Sequence, residues 1–458
     1  MADSTVKGKG SLTVNNTLIY PKDEDLTAAE IKNLIEYHHS NFATKYEKDR
    51  NYYIGQHPIL TGDEKPLGKP DYRLVVNYPK YMVDTFNGFF IGLPPKIALD
   101  DDKDNQKLNQ FANRVSLYDK LYEASKQASI NGHSYLMAYQ NEDSETGIAL
   151  YSPENAFMVY DDTVEHLPLA FITYSDDDEN KRSGVVYKAD GQYDLSMQQT
   201  DVNIYNMVPA VEILENDERQ SIFENVLTLI DAVNTVISQK MNDVDYFADG
   251  YLKVLNAGLD EDSLEQIKSN RIINLSNSDP TKDVVVEFME RPNADSEQEN
   301  LINRLNNWIF EISSVSNITD SVFGNADSGK ALEYHLLSMR NLASSKERKM
   351  TQALRQLFQI VFSSGSLLDS SKVDEWQNLT FLFSRNLPGN LSDEASVAKQ
   401  LEGVVSKETQ LKVLSVVDDP KTEIEKMNEE AKEQADVAKT SSTLYDFEKN
   451  GDKPDDER

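Results

Sequence analysis

The chain has 458 residues, 39% hydrophobic and 27% charged, and its 46 Lys and Arg face 78 Asp and Glu for a formal charge of −32. That balance argues against tight, general nucleic-acid binding, which depends on neutralising phosphates with Lys and Arg, while allowing nucleic acid to pass close by without adhering. Cysteine is absent, which excludes disulfides, thiolate metal sites and a cysteine nucleophile and fits an intracellular setting.

The length suits two or three packed units. The opening "MADSTVKGKGSLTV" lacks the apolar core of a signal peptide, and no apolar run approaches the roughly 20 residues of a membrane span. A soluble, cytoplasmic protein is expected. Residues 1–25 are polar and punctuated by glycine, so a flexible N-terminus is expected there. Ile31, Leu34, Ile35 and Phe42 then recur at helical spacing and predict a helix over 26–51, closed by Gly55 and Pro58. A Pro- and Gly-rich segment leads into a mostly apolar helix, "YMVDTFNGFFIGLPP". From 134 to 213, short Tyr- and Val-rich runs such as "SYLMAYQ", "AFMVYDD" and "LAFITYS" alternate with turn residues and predict antiparallel strands.

Helix returns at 217–247, where Ile222, Val226, Leu229, Ile230, Val233, Ile237 and Met241 hold a 3.6-residue period. Residues 250–290 read as a compact insert, with strands at "YLKVL", "RIINLS" and "DVVVEFME" around a short helix, "DSLEQIKSN". A second long helix follows at 295–318, so the two helices form a hairpin with a cap on its tip. A third long helix runs from about Lys330 to Phe362, then a strand in "NLTFLFSRNLPGN", then helices to about 435. The acidic runs at Asp100–Asp102, Asp176–Glu179 and the tail read as solvated surface, and 441–458 as an acidic, disordered tail. The pattern is α+β and mainly helical, without internal repeats.

One motif invites a catalytic reading. Residues 323–332, "FGNADSGKAL", hold the G-x-x-x-x-G-K spacing of a phosphate-binding loop. Such a loop also needs a Ser or Thr after the Lys for Mg²⁺, and a buried strand before it. Ala331 supplies no ligand, and the preceding "NWIFEISSVSNITDSV" has helical periodicity. Gly324 and Gly329 with Asn325, Asp327 and Ser328 instead spell a polar turn, with Asp327 or Ser328 able to cap the next helix. The six histidines match no metal spacing, and neither G-x-S-x-G nor H-E-x-x-H occurs. No catalytic residue, metal site or cofactor is expected, and the chain reads as a non-enzyme.

Five collinear segments between about 37 and 430 resemble the portal proteins of tailed bacteriophages, in the branch typical of phages of Gram-positive bacteria. They are "YYIGQHPIL" with "RLVVNYPKYMVDTFNGFFIGLPPKI"; "SPENAFMVYDD"; "VPAVEILENDERQSIFENVLTLIDAVN"; "FGNADSGKALEYH"; and "RNLPGNLSDEASVAKQLEGVVSKETQLKVLSVVDDPKTEIEKMNEE". The resemblance implies a portal fold assembled as a homo-oligomeric ring of twelve subunits around a tunnel for double-stranded DNA, which passes without specific binding. It implies a wing at 26–213 completed by the long helix and strand of 331–394, stem helices at 214–248 and 295–320, a clip at 249–294 and a crown at 395–440. The tunnel loop would be Ser321, Val322, Phe323, Gly324, Asn325, Ala326, Asp327, Ser328, Gly329 and Lys330. Lys330 departs from the family pattern, which has a small or apolar residue there. It reads as a solvated first-turn residue, with an attractive band around the ring as the alternative.

The implied partners are the terminase large subunit, a head–tail adaptor, the major capsid and scaffold proteins, and no membrane. The implied location is the portal vertex of the virion, after assembly in the host cytoplasm. Two other readings remain open at this point: a P-loop-like NTPase using 324–330, and a non-viral acidic helical adaptor.

Overall fold

The computed structural model describes residues 11–12, 16–66, 69–176, 182–248, 252–255, 285–288, 295–318, 334–386, 391–414, 416–417 and 420–434. The chain divides into two compact units, 1–386 and 387–458, and its class is α+β.

Two sheets account for the run of short strands. The larger joins β1 (Ser11–Leu12), β2 (Leu18–Tyr20), β6 (Ala156–Asp161), β7 (Pro168–Asp176), β8 (Arg182–Tyr187), β9 (Gly191–Asp194) and β10 (Gln199–Val202) in the order β1-β2-β6-β7-β8-β9-β10. The smaller has the order β11-β4-β5, from β4 (His133–Gln140), β5 (Thr146–Tyr151) and β11 (Ala210–Leu214). Among the described residues of these sheets all pairings are antiparallel but one: β2 lies parallel to β6, with Leu18 opposite Val159. The sheets meet over Tyr135, Met137, Ala156, Met158, Phe171 and Ala210.

The other face of the large sheet is covered by α1 (Ala28–His38), whose Ile31, Leu34 and Ile35 join Leu18, Tyr20, Phe157 and Ile172 in one core. The expectation of a flexible N-terminus through residue 25 is therefore corrected for 16–25. Leu18 and Tyr20 alternate onto the α1 side and are 3% and 1% exposed, a strand too short to register as a pattern in polar surroundings. Thr27 and Glu30 form a reciprocal capping box that starts α1. The helix predicted over 26–51 is α1 and α2 (Thr44–Tyr53) joined through one π-turn at His39–Ala43.

Beyond α3 (Tyr78–Ile91) and β3 (Lys96–Ala98) come two helices absent from the predicted elements, α4 (Asp102–Arg114) and α5 (Leu117–Asn131). The acidic run at 100–102 is in part their start signal, since the Asp101 side chain accepts from the Lys103 and Asp104 amides. Then follow α6 (Leu227–Ala248), β12 (Leu252–Leu255), β13 (Val285–Phe288), α7 (Asp295–Ser313), α8 (Leu337–Ser363) and β14 (Thr380–Leu382), which pairs with β3. The predicted "RIINLS" strand and "DSLEQIKSN" helix lie outside the described residues. The second unit contains α9 (Leu391–Gln400), α10 (Lys407–Leu411) and a helix over 420–434. No described helix is long and apolar enough to cross a membrane.

Candidate functional site: a helix hairpin and the junction that seats it

The predicted loop residues Ser321–Lys330 lie outside the described residues, but both flanks are described, and they touch. Ser316 Oγ donates to the His335 carbonyl at 2.9 Å, so the two flanks of the segment meet. The Ile318 amide donates to Tyr81 Oη at 2.7 Å. Tyr78 and Tyr81 of α3 both set their rings edge-on to Phe310, at 5.5 and 5.7 Å, and Tyr78 Oη donates to Asn306 Oδ1 at 2.7 Å. The end of α7 is thereby fixed on α3.

The helices α6 and α7 form a hairpin. The strands that follow one and precede the other, β12 and β13, pair antiparallel, and Lys240 forms an ion pair with Glu299. Leu305 and Ile309 of α7 are buried, whereas Leu301, Trp308 and Ile312 are 44–52% exposed. Spacings of seven and four put those three on one helical face, so the apolar face of α7 is wider than the hairpin covers.

A polar ladder docks an extended segment onto α6. The amides of Val76, Leu74 and Tyr72 donate to Asn234 Oδ1 (2.8 Å), Ser238 Oγ (2.9 Å) and Asn242 Oδ1 (2.6 Å). Two extended residues advance about 6.7 Å and four helical residues about 6 Å, so the two periods stay in step over three rungs. The sequence signal was present: Asn234, Ser238 and Asn242 interrupt an apolar helix at four-residue intervals. Their partners, 158 to 170 residues earlier, carried none.

The junction between β11 and α6 is built from buried charge. Arg219, at φ +54°, sends Nε and a terminal nitrogen to Glu212 at 2.7 Å each, and Tyr160 Oη donates to the same carboxylate at 2.6 Å. Burial pushes the Glu212 carboxyl up, but Arg219 outweighs it and leaves it at about 2. Lys45 Nζ donates to the Arg219 carbonyl at 3.1 Å and pairs with Glu224 at 2.9 Å. Gly132 (φ +90°) packs so closely on this turn that a Cβ would stand 2.2 Å from the Arg219 carbonyl carbon.

Next to it, Lys346 of α8 is fully buried. Its Nζ donates to Ser125 O (2.9 Å) and Ser129 Oγ (2.8 Å) and meets Glu215 Oε2 at 2.5 Å. It also lies 5.3 and 5.4 Å from the rings of Phe86 and Phe90. Burial lowers the Lys346 pKa, and Glu215 opposes that shift. No local sequence pattern marks this pair, whose members lie 131 residues apart.

The arrangement supports packing rather than chemistry. The 660 Å³ cavity beside the junction has two cationic lining residues, Arg219 and Lys349, and both are already paired, with Glu212 and Asp217. Among the described residues no group of three or more His, Asp or Glu is placed to hold a metal ion. His38, His57 and His133 are buried among aromatic rings.

A family model described as phage portal protein, SPP1 Gp6-like, matches residues 32–437. The portal protein of Bacillus phage SPP1 is 23% identical over 427 residues, covering 85% of this chain and 82% of its own length. Among solved structures, the chain is similar to the neck of an empty GTA particle computed with C6 symmetry, at a TM-score of 0.44 and 11% identity over 74% of this chain and 90% of that one. The neck of a native GTA particle computed with C12 symmetry gives 0.40 and 11%, over 74% and 89%.

Proposed function

Because this chain belongs to the SPP1 Gp6-like phage portal protein family, a structural component of the phage particle and not an enzyme, we propose that it forms a ring at one capsid vertex. The ring conducts double-stranded DNA during packaging and ejection. The P-loop NTPase reading is set aside with family membership, and so is the non-viral adaptor.

The observation that carries the ring is the exposed face of α7. A lone subunit leaves Leu301, Trp308 and Ile312 in water, and a side-by-side arrangement of hairpins would cover them. In this reading α6 and α7 are the stem and 249–294 the clip, which docks terminase and then the head–tail adaptor. The crown is 395–440, and the wing gains residues 16–25 at its N-terminal side. Residues 321–330 project into the tunnel from the base closed by Ser316 and His335. Subunits of charge −32 suit a tunnel that repels phosphate and lets DNA slide.

Negative-stain images and light scattering of the purified protein test the ring. The expected result is a ring of about twelve subunits with a central channel, reduced to monomers by Trp308→Glu with Ile312→Glu. A protein that stays monomeric at high concentration and in the presence of scaffold protein sinks the proposal. Shortening 321–330 is expected to leave the ring intact and lower the yield of DNA-filled particles.

A further inference from the structure

The long helix α8 follows directly on the 319–333 segment, and its two halves are packed differently. The C-terminal half buries Leu354, Leu357, Phe358, Val361 and Phe362, large side chains whose interlocking fixes their position. The N-terminal half buries Met339, Ala343, Lys346 and Met350. Methionine adapts to many neighbours and alanine fills little space, so that stripe by itself tolerates more than one seating. Lys346 is its one charged member. All three of its donors are taken by fixed partners on two elements: Ser125 O and Ser129 Oγ on α5, and Glu215 in the β11–α6 junction. Ser129 Oγ in turn donates to Glu215 Oε2 at 2.9 Å.

A buried ion pair is a poor source of net stability, since apolar replacements of similar volume often hold a fold as well. Its best-attested use is to fix register, because shifting the helix would strand two charges out of water. We propose that Lys346 and Glu215 are a positioning pair that locks the N-terminal half of α8 to the β11–α6 junction. Through that half they fix where the segment preceding α8 leaves the wing. The consequence for DNA rests on the portal reading; the lock itself does not.

The absence of cysteine allows clean labelling. Spin labels at Asn109→Cys on α4 and Asn341→Cys on α8, both exposed positions, are diluted into unlabelled protein, and their distance distribution is measured. The unaltered pair is expected to give one narrow peak. Lys346→Met combined with Glu215→Leu is expected to keep the thermal midpoint within a few degrees yet broaden the peak, or add a second one displaced by up to one helical turn, about 5 Å. Lys346→Met alone, which strands Glu215, is expected to lower the midpoint strongly. Glu215→Gln keeps side-chain volume and the serine bonds, and is expected to broaden the peak to a smaller extent; it serves if the double variant does not fold. Distributions that superimpose on the unaltered protein overturn the lock. A broadened peak with normal yields of DNA-filled particles leaves the lock standing and removes its role in positioning the loop.

Discussion

The backbone amide of Val76 donates to Oδ1 of Asn234 at 2.8 Å, while Nδ2 of the same asparagine meets His57 Nδ1 at 2.9 Å. One fully buried amide on the hairpin therefore serves both the extended segment and the loop after α2. Asn234→Ala leaves the Val76 amide and His57 without those partners, at about 1–3 kcal/mol. Urea unfolding is expected to show that loss, with Thr235→Ala, one residue along on the exposed side, within about 0.5 kcal/mol of the parent.

Gly132 and Gly365 both have left-handed backbone, at φ +90° and +66°, but differ in surroundings. A Cβ on Gly132 would meet the Arg219 carbonyl at 2.2 Å, whereas one on Gly365 meets nothing nearer than 3.9 Å. Gly365→Ala should cost about 1 kcal/mol of conformational strain. Gly132→Ala has to displace the junction backbone as well, and a much lower soluble yield and thermal midpoint are expected. Similar midpoints for the two variants would disprove the close packing at Gly132.

Asp49 is 1% exposed, its Oδ2 has no hydrogen-bond partner, and burial raises its pKa from 3.8 to about 7 against the pull of Lys45. The folded chain thus binds a proton that the unfolded chain has released between pH 4 and 7, and stability from this group declines as pH rises through that window. Asp49→Asn is expected to stabilise at pH 8, by at most about 4 kcal/mol, and to be close to neutral at pH 4. Equal effects at the two pH values in urea titrations would contradict the assignment.

Histidines 38 and 133 work in the opposite direction. Burial lowers both to about 3, helped at His38 by its neighbours His133 and His39 and opposed at His133 by Glu212. Between pH 6.5 and 3 the unfolded chain takes up these protons and the folded chain does not, so stability falls with acidification. The slope is up to about 1.4 kcal/mol per pH unit for each histidine. His38→Gln loses the bond to Tyr174 and lowers stability throughout. The check is the slope of stability against pH from 6.5 to 4, which should fall by one proton's share.

Much of this protein was legible in its sequence because the relevant signals are local. The 3.6-residue period over 217–247 and 295–318 yields α6, which starts ten residues later at Leu227, and α7, which ends five residues earlier at Ser313, and the alternating runs from 134 to 213 yield strands. Five motifs in order carried the family. The helix α4 escaped because "DDKDNQKLNQFANR" is highly polar, and its acidic start resembles solvated surface until Asp101 is seen capping backbone amides. Tertiary structure alone decided the parallel seat of Leu18–Tyr20 beside β6, the rungs joining 72–76 to α6, and the burial of Lys346. Each depends on partners more than 130 residues apart. A polar side chain at an apolar helix position has no assigned meaning until the chain brings it a partner, and burial then makes that partner obligatory.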